Sequence, residues 1–137
     1  MSDWWQWSPI KANQKLGFAV VGIGRFGSAV CRELLRNGAD VLAVDSSEKA
    51  IEELRQLEPT IEARVVDSTD EESMKEAGVL EMGTVVVGIS EPIEASITTT
   101  LIAKDTEGSL VKQVIARATS DLHEKMLKRV GADRVVF

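Results

Sequence analysis

Short runs of apolar residues alternate along this chain with longer stretches in which apolar residues recur at helical spacing. The short runs are rich in valine and isoleucine, which is typical of strands buried on both faces of a parallel sheet, and the longer stretches are typical of amphipathic helices. The pattern predicts strands near residues 17–22, 40–45, 61–66, 84–89, 111–116 and 134–137. With a helix between each pair, the chain is predicted to form an α/β fold with a doubly wound parallel six-stranded sheet of order 3-2-1-4-5-6 and helices on both faces.

The predicted helices have recognisable ends and apolar faces. They extend over about 26–37, from Ser47 to Pro59, from Thr69 to Gly78, from Pro92 to Lys104 and from Ser120 to Gly131. Thr69 and Glu72 have the spacing of a capping box. Inward-facing side chains are expected to include Phe26, Val30, Leu34, Ile51, Leu54, Leu57, Leu122, Met126, Leu127 and Val130. In the fourth helix Ile93, Ile97 and Leu101 form a stripe with almost no charge beside it, so this helix is expected to be buried on two sides.

The first apolar run leads directly into Gly22-x-Gly24-x-x-Gly27, and a helical pattern follows the last glycine. In such a strand–turn–helix unit Gly22 permits the tight turn, Gly24 lets the backbone approach a pyrophosphate, and Gly27 lets the helix pack close to the sheet. Unpaired N–H groups at the helix start then face the phosphates. Asp45 ends the second strand, where an acidic residue meets a ribose hydroxyl. The motif predicts a Rossmann-type nucleotide site.

Ligands of doubly wound sheets bind at the carboxyl ends of the strands, so the residues there form the candidate binding site. They are Gly22, Ile23, Gly24, Arg25, Phe26, Gly27, Asp45, Ser46, Ser47, Asp67, Ser68, Thr69, Gly88, Ile89, Ser90, Glu91 and Arg117. Asp45 would face a 2′-phosphate with like charge, which favours NAD or an adenosine phosphate over NADP. Asp67 and Ser68 are expected beside an adenine edge, and Arg25 is placed to contact phosphate oxygens.

Each assignment has a structural alternative. Asp45 is otherwise a solvated turn residue, Asp67 and Ser68 a helix-cap pair, and Arg25 a surface arginine paired with a carboxylate. His123 has no metal ligand at suitable spacing in the sequence, so it is interpreted as a surface histidine and no metal site is predicted.

Composition narrows the class of protein. The 137 residues carry a net charge of −6, which argues against a nucleic-acid partner. Cys31 is the single cysteine, so a reducing cytoplasm is expected, and its position in a helix suggests a small buried apolar residue. No run has the length of a membrane-spanning helix, and no signal-peptide pattern opens the sequence. Residues 1–15 hold Trp4, Trp5 and Trp7 and are predicted to form an aromatic arm, either on the domain's own surface or against a partner subunit or membrane interface.

Two classes of function fit such a site. An NAD-dependent oxidoreductase needs a proton donor opposite the nicotinamide, and the candidate positions hold no His, Lys or Tyr for that role. A ligand-sensing module needs only the nucleotide site and a surface that changes with occupancy. The sequence favours the sensing module, without catalytic residues, and keeps the oxidoreductase domain as the alternative.

Several segments together resemble the RCK/KTN (TrkA-N) family, the nucleotide-binding N-terminal domains of the Trk and Ktr potassium-uptake regulators. They are Gly22-Ile23-Gly24-Arg25-Phe26-Gly27, Asp45 after Leu42-Ala43-Val44, Asp67-Ser68-Thr69, Glu94-Ala95-Ser96-Ile97-Thr98-Thr99, Ala116-Arg117-Ala118 and Gly131-Ala132-Asp133-Arg134-Val135-Val136. The resemblance covers about Gly17 to Phe137. The first and last of these segments are much more specific than a glycine pattern alone.

The resemblance implies a non-enzymatic regulatory subunit in the cytoplasm, peripheral to the inner face of the cell membrane. Members pair through the helices after strands four and five, assemble into rings under a membrane potassium transporter, and respond to ATP, ADP or NAD(H). We therefore expect a nucleotide-binding domain over residues 16–137, a homodimer or larger ring, and a potassium transporter or channel as partner. Members usually carry a C-terminal ligand-binding domain after the sixth strand, and its absence from this sequence is a departure from the family.

Overall fold

The computed structural model describes residues 17–137, which form one parallel sheet covered by helices on both faces. The strands are β1 (Phe18–Val21), β2 (Val41–Asp45), β3 (Glu62–Val65), β4 (Thr84–Val87), β5 (Gln113–Arg117) and β6 (Arg134–Val136). Their order across the sheet is β3-β2-β1-β4-β5-β6, and all neighbouring strands are parallel. The predicted fold class and strand order are confirmed. The aromatic arm predicted over residues 1–15 lies outside the described residues.

The helices also follow the predicted sequence of elements. They are α1 (Arg25–Arg36), α2 (Glu48–Leu57), α3 (Glu71–Ala77), α4 (Ile93–Asp105) and α5 (Asp121–Arg129), with a short 3₁₀ turn (Val79–Glu81) that periodicity does not predict. Ser47 caps α2 and Ser120 caps α5, as predicted. The capping box at Thr69 is wrong, because Asp70 caps α3 and the Thr69 hydroxyl donates to Asp67 instead.

Strand β1 lies inside the sheet, paired with β2 and β4, and all of its side chains are buried. Successive side chains of a strand point to opposite faces. Phe18 and Val20 pack in one apolar cluster with residues of α1 and α2, whereas Ala19 and Val21 pack in a second cluster with residues of α3, α4 and α5. The two clusters together therefore fix the position of β1, and with it the turn at its carboxyl end.

Cys31 belongs to the cluster under α1 and is fully buried. Burial raises the pKa of its thiol to about 12. A thiol with so high a pKa carries almost no thiolate near neutral pH, which fits the apolar role expected for this residue.

Three side chains predicted to face the core are exposed. Leu57 is the last residue of α2, and Leu122 and Met126 belong to α5. Helix α5 buries Leu127, as predicted, and also His123. The prediction of a surface histidine is therefore wrong, since only 1% of His123 is exposed.

His123 is buried because both of its ring nitrogens have partners. Nδ1 accepts a hydrogen bond from the backbone N–H of Thr119 at 3.1 Å, and Nε2 lies 2.7 Å from Oγ of Ser96. Since Nδ1 accepts, the proton of the neutral ring is on Nε2 and is donated to Ser96, which donates to the carbonyl oxygen of Ile93 at 2.8 Å. Burial lowers the pKa of His123 below its usual 6.5.

Helix α4 meets the interior through small and polar residues rather than through its apolar stripe. Its buried residues are Ser96, Thr99, Thr100 and Ala103. Ile93 and Ile97 are half-buried, and Leu101 is exposed. The stripe therefore begins at the edge of the core and continues onto the surface.

The turn between β1 and α1 leaves no space for a side chain at Gly27. A Cβ atom there would overlap the carbonyl oxygen of Gly22. Gly27→Ala should lower the free energy of unfolding by about 3 kcal/mol or more, because backbone must move to accommodate it. Gly24→Ala is the matched control: its Cβ would meet no described atom within 4 Å, and its φ of −88° suits alanine. Denaturant unfolding compares the two, and equal losses would contradict the close contact at Gly27.

The state of His123 makes stability depend on pH. The folded chain keeps this ring neutral, whereas the unfolded chain takes up a proton as the pH falls through 6.5. The neutral ring therefore costs no stability above pH 6.5, and the free energy of unfolding decreases as the pH falls below this value. The slope contributed by one proton is at most about 1.4 kcal/mol per pH unit. Denaturant unfolding at several values between pH 7.5 and about 5 should show a steeper decrease for the parent chain than for His123→Gln. Parallel curves would show that His123 titrates alike in both states.

Candidate functional site

A cleft of about 270 Å³ opens at the carboxyl ends of β1 to β4. It is lined by Val21, Gly22, Gly24, Asp45, Ser46, Asp67, Ser68, Thr69, Gly88, Ile89, Ser90, Glu91, Pro92 and Ala95. The chain leaves β1 and β4 toward opposite sides of the sheet, so their ends form the topological switch point at which doubly wound folds bind ligands. The cleft therefore lies where the sequence motif predicts a nucleotide.

The glycine loop forms the part of the cleft next to α1. Gly22 has a φ of +93°, a conformation that favours glycine, and its N–H donates to the carbonyl oxygen of Val44 at 2.9 Å. Gly24 is exposed and precedes α1 without any side-chain cap. A helix start that is open and uncapped attracts an anion through its N–H groups and dipole. This end of the cleft suits phosphate groups.

Asp45 fastens the loop to β2. Its Oδ2 accepts the N–H of Ile23 at 2.6 Å, and its Oδ1 accepts the N–H of Ser47 at 2.8 Å. The side chain is half-buried and also lines the cleft. Each carboxylate oxygen accepts more than one hydrogen bond, so Asp45 retains acceptor capacity for ribose hydroxyls while it holds the loop.

The carboxyl end of β3 supplies the next wall. Oδ1 of Asp67 accepts both the N–H of Thr69, at 3.0 Å, and its hydroxyl, at 2.6 Å. These bonds hold the pKa of Asp67 below its usual range. Ser68 is buried, and its hydroxyl lies 2.8 Å from that of Thr99 on α4. Because Asp70 caps α3, the alternative of a helix-cap pair at Asp67 and Ser68 is wrong.

The chain that follows β4 forms another wall of the cleft and lies close to the glycine loop. A Cβ on Gly88 would come within 3.1 Å of the carbonyl oxygen of Gly22 and 3.2 Å of the Phe26 ring. Pro92 and Ala95, at the start of α4, also line the cleft. They are absent from the candidates deduced from strand ends, although Pro92 as a helix start is the signal that extends this wall by one turn.

Six of the candidate residues do not line the cleft. They are Ile23, Arg25, Phe26, Gly27, Ser47 and Arg117. Arg25 is exposed at the start of α1, and the guanidinium of Arg117 lies over the ring of Phe26, 5.4 Å from its centre. Ile23 and Ser47 contribute the N–H groups that Asp45 accepts. Arg25 is thus the first residue of α1, and Arg117 packs on a residue of its first turn.

The two ends of the cleft differ in the charge of the groups that line them. Asp45, Asp67 and Glu91 contribute carboxylates, and no lysine, arginine or histidine is among the described residues that line it. An anionic group is therefore favoured only at the helix start, whereas the ends of β2 and β3 favour groups that donate hydrogen bonds. Within the described part of the chain, no cluster of three or more His, Cys, Asp or Glu side chains is arranged to hold a metal ion.

The proteins to which the chain is similar include two that are named potassium uptake proteins. The chain is 40% identical over 122 residues to Ktr system potassium uptake protein C of Bacillus subtilis (strain 168). These residues are 89% of this chain and 53% of that protein. It is 38% identical over 120 residues to Ktr system potassium uptake protein A of Vibrio alginolyticus, over 88% of this chain and 52% of that protein. The chain thus spans about half the length of these relatives.

Solved structures share the fold. The TrkA-N domain of the inner membrane protein ybaL from Escherichia coli superposes with a TM-score of 0.78 at 22% identity, over 91% of this chain and 89% of that one. A structure of the GsuK channel bound to NAD gives a TM-score of 0.75 at 17% identity, over 93% of this chain and 22% of that one. Within residues 17–137, no helix is both long and apolar enough to cross a membrane.

The family model for the TrkA-N domain matches residues 18–137, a range that contains every strand and helix of the described residues. The match includes the glycine loop, Asp45 and the strand ends that form the cleft. The chain belongs to the TrkA-N domain family.

Proposed function

We propose that residues 16–137 are the nucleotide-sensing domain of a non-enzymatic regulatory subunit that gates a membrane potassium transporter or channel. The observation that carries the proposal is Asp45, which holds the glycine loop by one oxygen and lines the cleft between the open start of α1 and the acceptor-rich end of β3. A nucleotide fits this polarity with its phosphates at α1 and its ribose at Asp45. The potassium-uptake relatives support the transporter as partner.

The proposed regulatory ligand is ATP, ADP or NAD(H). Two structural neighbours, GsuK structures bound to NAD and to ADP, are consistent with this choice of ligand. In this chain the carboxylate of Asp45 would repel a 2′-phosphate, which favours those ligands over NADP(H). The subunit would act in the cytoplasm at the inner face of the membrane, where such nucleotides are available.

The alternative is the cofactor domain of an oxidoreductase. A reductase complexed with NADPH, the yeast methylglyoxal/isovaleraldehyde reductase Gre2, shares the fold with a TM-score of 0.61 at 15% identity. Among the described residues that line the cleft, however, none is a His, Lys, Tyr or Cys that would transfer a proton beside a nicotinamide. This composition of the cleft favours sensing over catalysis.

An exposed, partly apolar face lies on α4 and α5. A groove of about 510 Å³ is lined by Ile97, Lys125, Met126, Lys128, Arg129 and Val130, and exposed Leu101 and Leu122 belong to the same two helices. Exposed apolar side chains inside a polar rim are typical of subunit contacts. We propose that a second copy of the chain packs here, forming a homodimer or a larger ring in which nucleotide sites act together.

The first prediction from the proposed function concerns the choice of nucleotide. Calorimetry should show that the chain binds ATP, ADP or NADH more tightly than NADPH, and that Asp45→Asn weakens binding by about 1.5–3 kcal/mol for each charge-assisted bond lost. Asp40→Asn, an exposed aspartate just before the same strand, is the matched control and should bind as the parent chain does. NADPH binding more tightly than the other three would contradict the role of Asp45.

The second prediction concerns Arg25, which is exposed beside the phosphate end of the cleft. If its guanidinium contacts the terminal phosphate, Arg25→Ala should reduce the affinity for ATP more than that for ADP. Arg36→Ala, an exposed arginine at the other end of α1, should change neither affinity. Equal losses for both nucleotides in Arg25→Ala would refute a role in sensing the terminal phosphate.

The third prediction concerns assembly. Light scattering should show a dimer or larger species for the whole chain and for a version that starts at Lys15, and Leu122→Lys should dissociate it because a charge enters the apolar contact. Leu57→Lys places the same charge on an equally exposed leucine of α2 and should leave the assembly intact. A monomer in all cases, with and without ATP, would rule out the contact.

A further inference from the structure

The hydroxyl protons at the end of β3 are all used inside the protein. The Thr69 hydroxyl donates to Asp67. The Thr99 hydroxyl donates to the carbonyl oxygen of Ser68 at 3.2 Å. Since a hydroxyl has one proton, the 2.8 Å bond between the two hydroxyls must use the proton of Ser68, with Oγ1 of Thr99 as its acceptor.

This arrangement determines what the wall offers to a ligand. With its proton turned toward α4, the Ser68 hydroxyl has only lone pairs left for any other partner. The neighbouring Asp67 is ionised, with its pKa held low by Thr69, and an ionised carboxylate is an acceptor only. The side chains of Asp67, Ser68 and Thr69, which line the cleft together, therefore present acceptors and no hydroxyl donor.

We infer that Thr99 is a positioning residue that fixes the direction of the Ser68 hydroxyl and thereby makes the site select a purine base with a 6-amino group over one with a 6-oxo group. The inference rests on the proposed nucleotide site and identifies what its base end recognises. An amino group donates hydrogen bonds to this wall. A carbonyl oxygen at the same place would meet side-chain acceptors and no hydroxyl donor, which is unfavourable for its hydrogen bonding.

Thr99 has this role because of its place on α4. It is fully buried and reaches Ser68 in the loop after β3, whereas the hydroxyl of Thr100 donates within the helix to the carbonyl oxygen of Ser96 at 2.9 Å. Thr98 is half-buried and does not line the cleft. Replacing Thr99 by valine keeps the shape of the side chain but removes the acceptor of the Ser68 proton. The Ser68 hydroxyl would then rotate and donate to a 6-oxo group.

The test is calorimetric titration of the full chain with ATP and with ITP, which share ribose and phosphates. Purine riboside triphosphate has only hydrogen at position 6. Comparing it with ATP measures the loss of the amino donor, and comparing it with ITP measures the effect of the carbonyl oxygen. The parent chain should bind ATP about tenfold or more tightly than ITP, in keeping with the cost of one unpaired polar group. Thr99→Val should reduce this ratio severalfold and improve ITP relative to purine riboside triphosphate, whereas Thr99→Ser and Thr98→Val should keep the parent ratio.

The outcomes are distinguishable. Equal binding of ATP and ITP by the parent chain, or an unchanged ratio in a folded Thr99→Val, would overturn the inference while leaving the nucleotide site in place. If Thr99→Val does not fold, Ser68→Ala takes its place and should also lower the ratio, because it removes the acceptor itself; an unchanged ratio there overturns the inference. Failure of the parent chain to bind any of the three nucleotides would overturn the proposed function and, with it, the inference.

Discussion

The contact between Gly27 and the carbonyl oxygen of Gly22 is the constraint on which the site depends. It brings the first turn of α1 against the end of β1 at a distance that a Cβ atom would prevent. Because β1 is fixed by apolar clusters on both faces, this contact also fixes α1, and the start of α1 becomes one end of the cleft. The position of this end of the cleft therefore follows first from backbone packing, to which the hydrogen bond from Ile23 to Asp45 is added.

Asp45 connects that backbone geometry to chemistry. A carboxylate that accepts two backbone N–H groups is costly to move, and it holds the loop and the end of β2 at one separation. The same oxygens border the space that a ribose would occupy. The recognition role proposed for Asp45 would therefore couple the shape of the loop to the contact with a ligand.

Much of the fold follows from sequence because β-strands buried on both faces are continuous apolar runs, and Gly22, Gly24 and Gly27 mark the turn to α1 by spacing alone. Prediction fails on the far side of the sheet. There α4 buries Ser96, Thr99 and Thr100, and α5 buries His123, while Leu122 is exposed. Hydrophobicity cannot predict this inversion, since these polar groups are buried by satisfying one another across elements that are distant in sequence. For the same reason strand ends indicate most of the cleft, but not Thr99 behind it.

The interior face of α4 also limits how that helix can move. Apolar contacts have no preferred direction, but the hydroxyls of Ser96 and Thr99 are each bonded to a group outside the helix, namely His123 on α5 and Ser68 in the loop after β3. A shift of α4 that breaks either bond leaves a buried hydroxyl without that partner until it finds a new one. Helix α4 is thus expected to have a few discrete resting positions instead of a continuum, which would make any displacement between cleft and surface switch-like rather than graded.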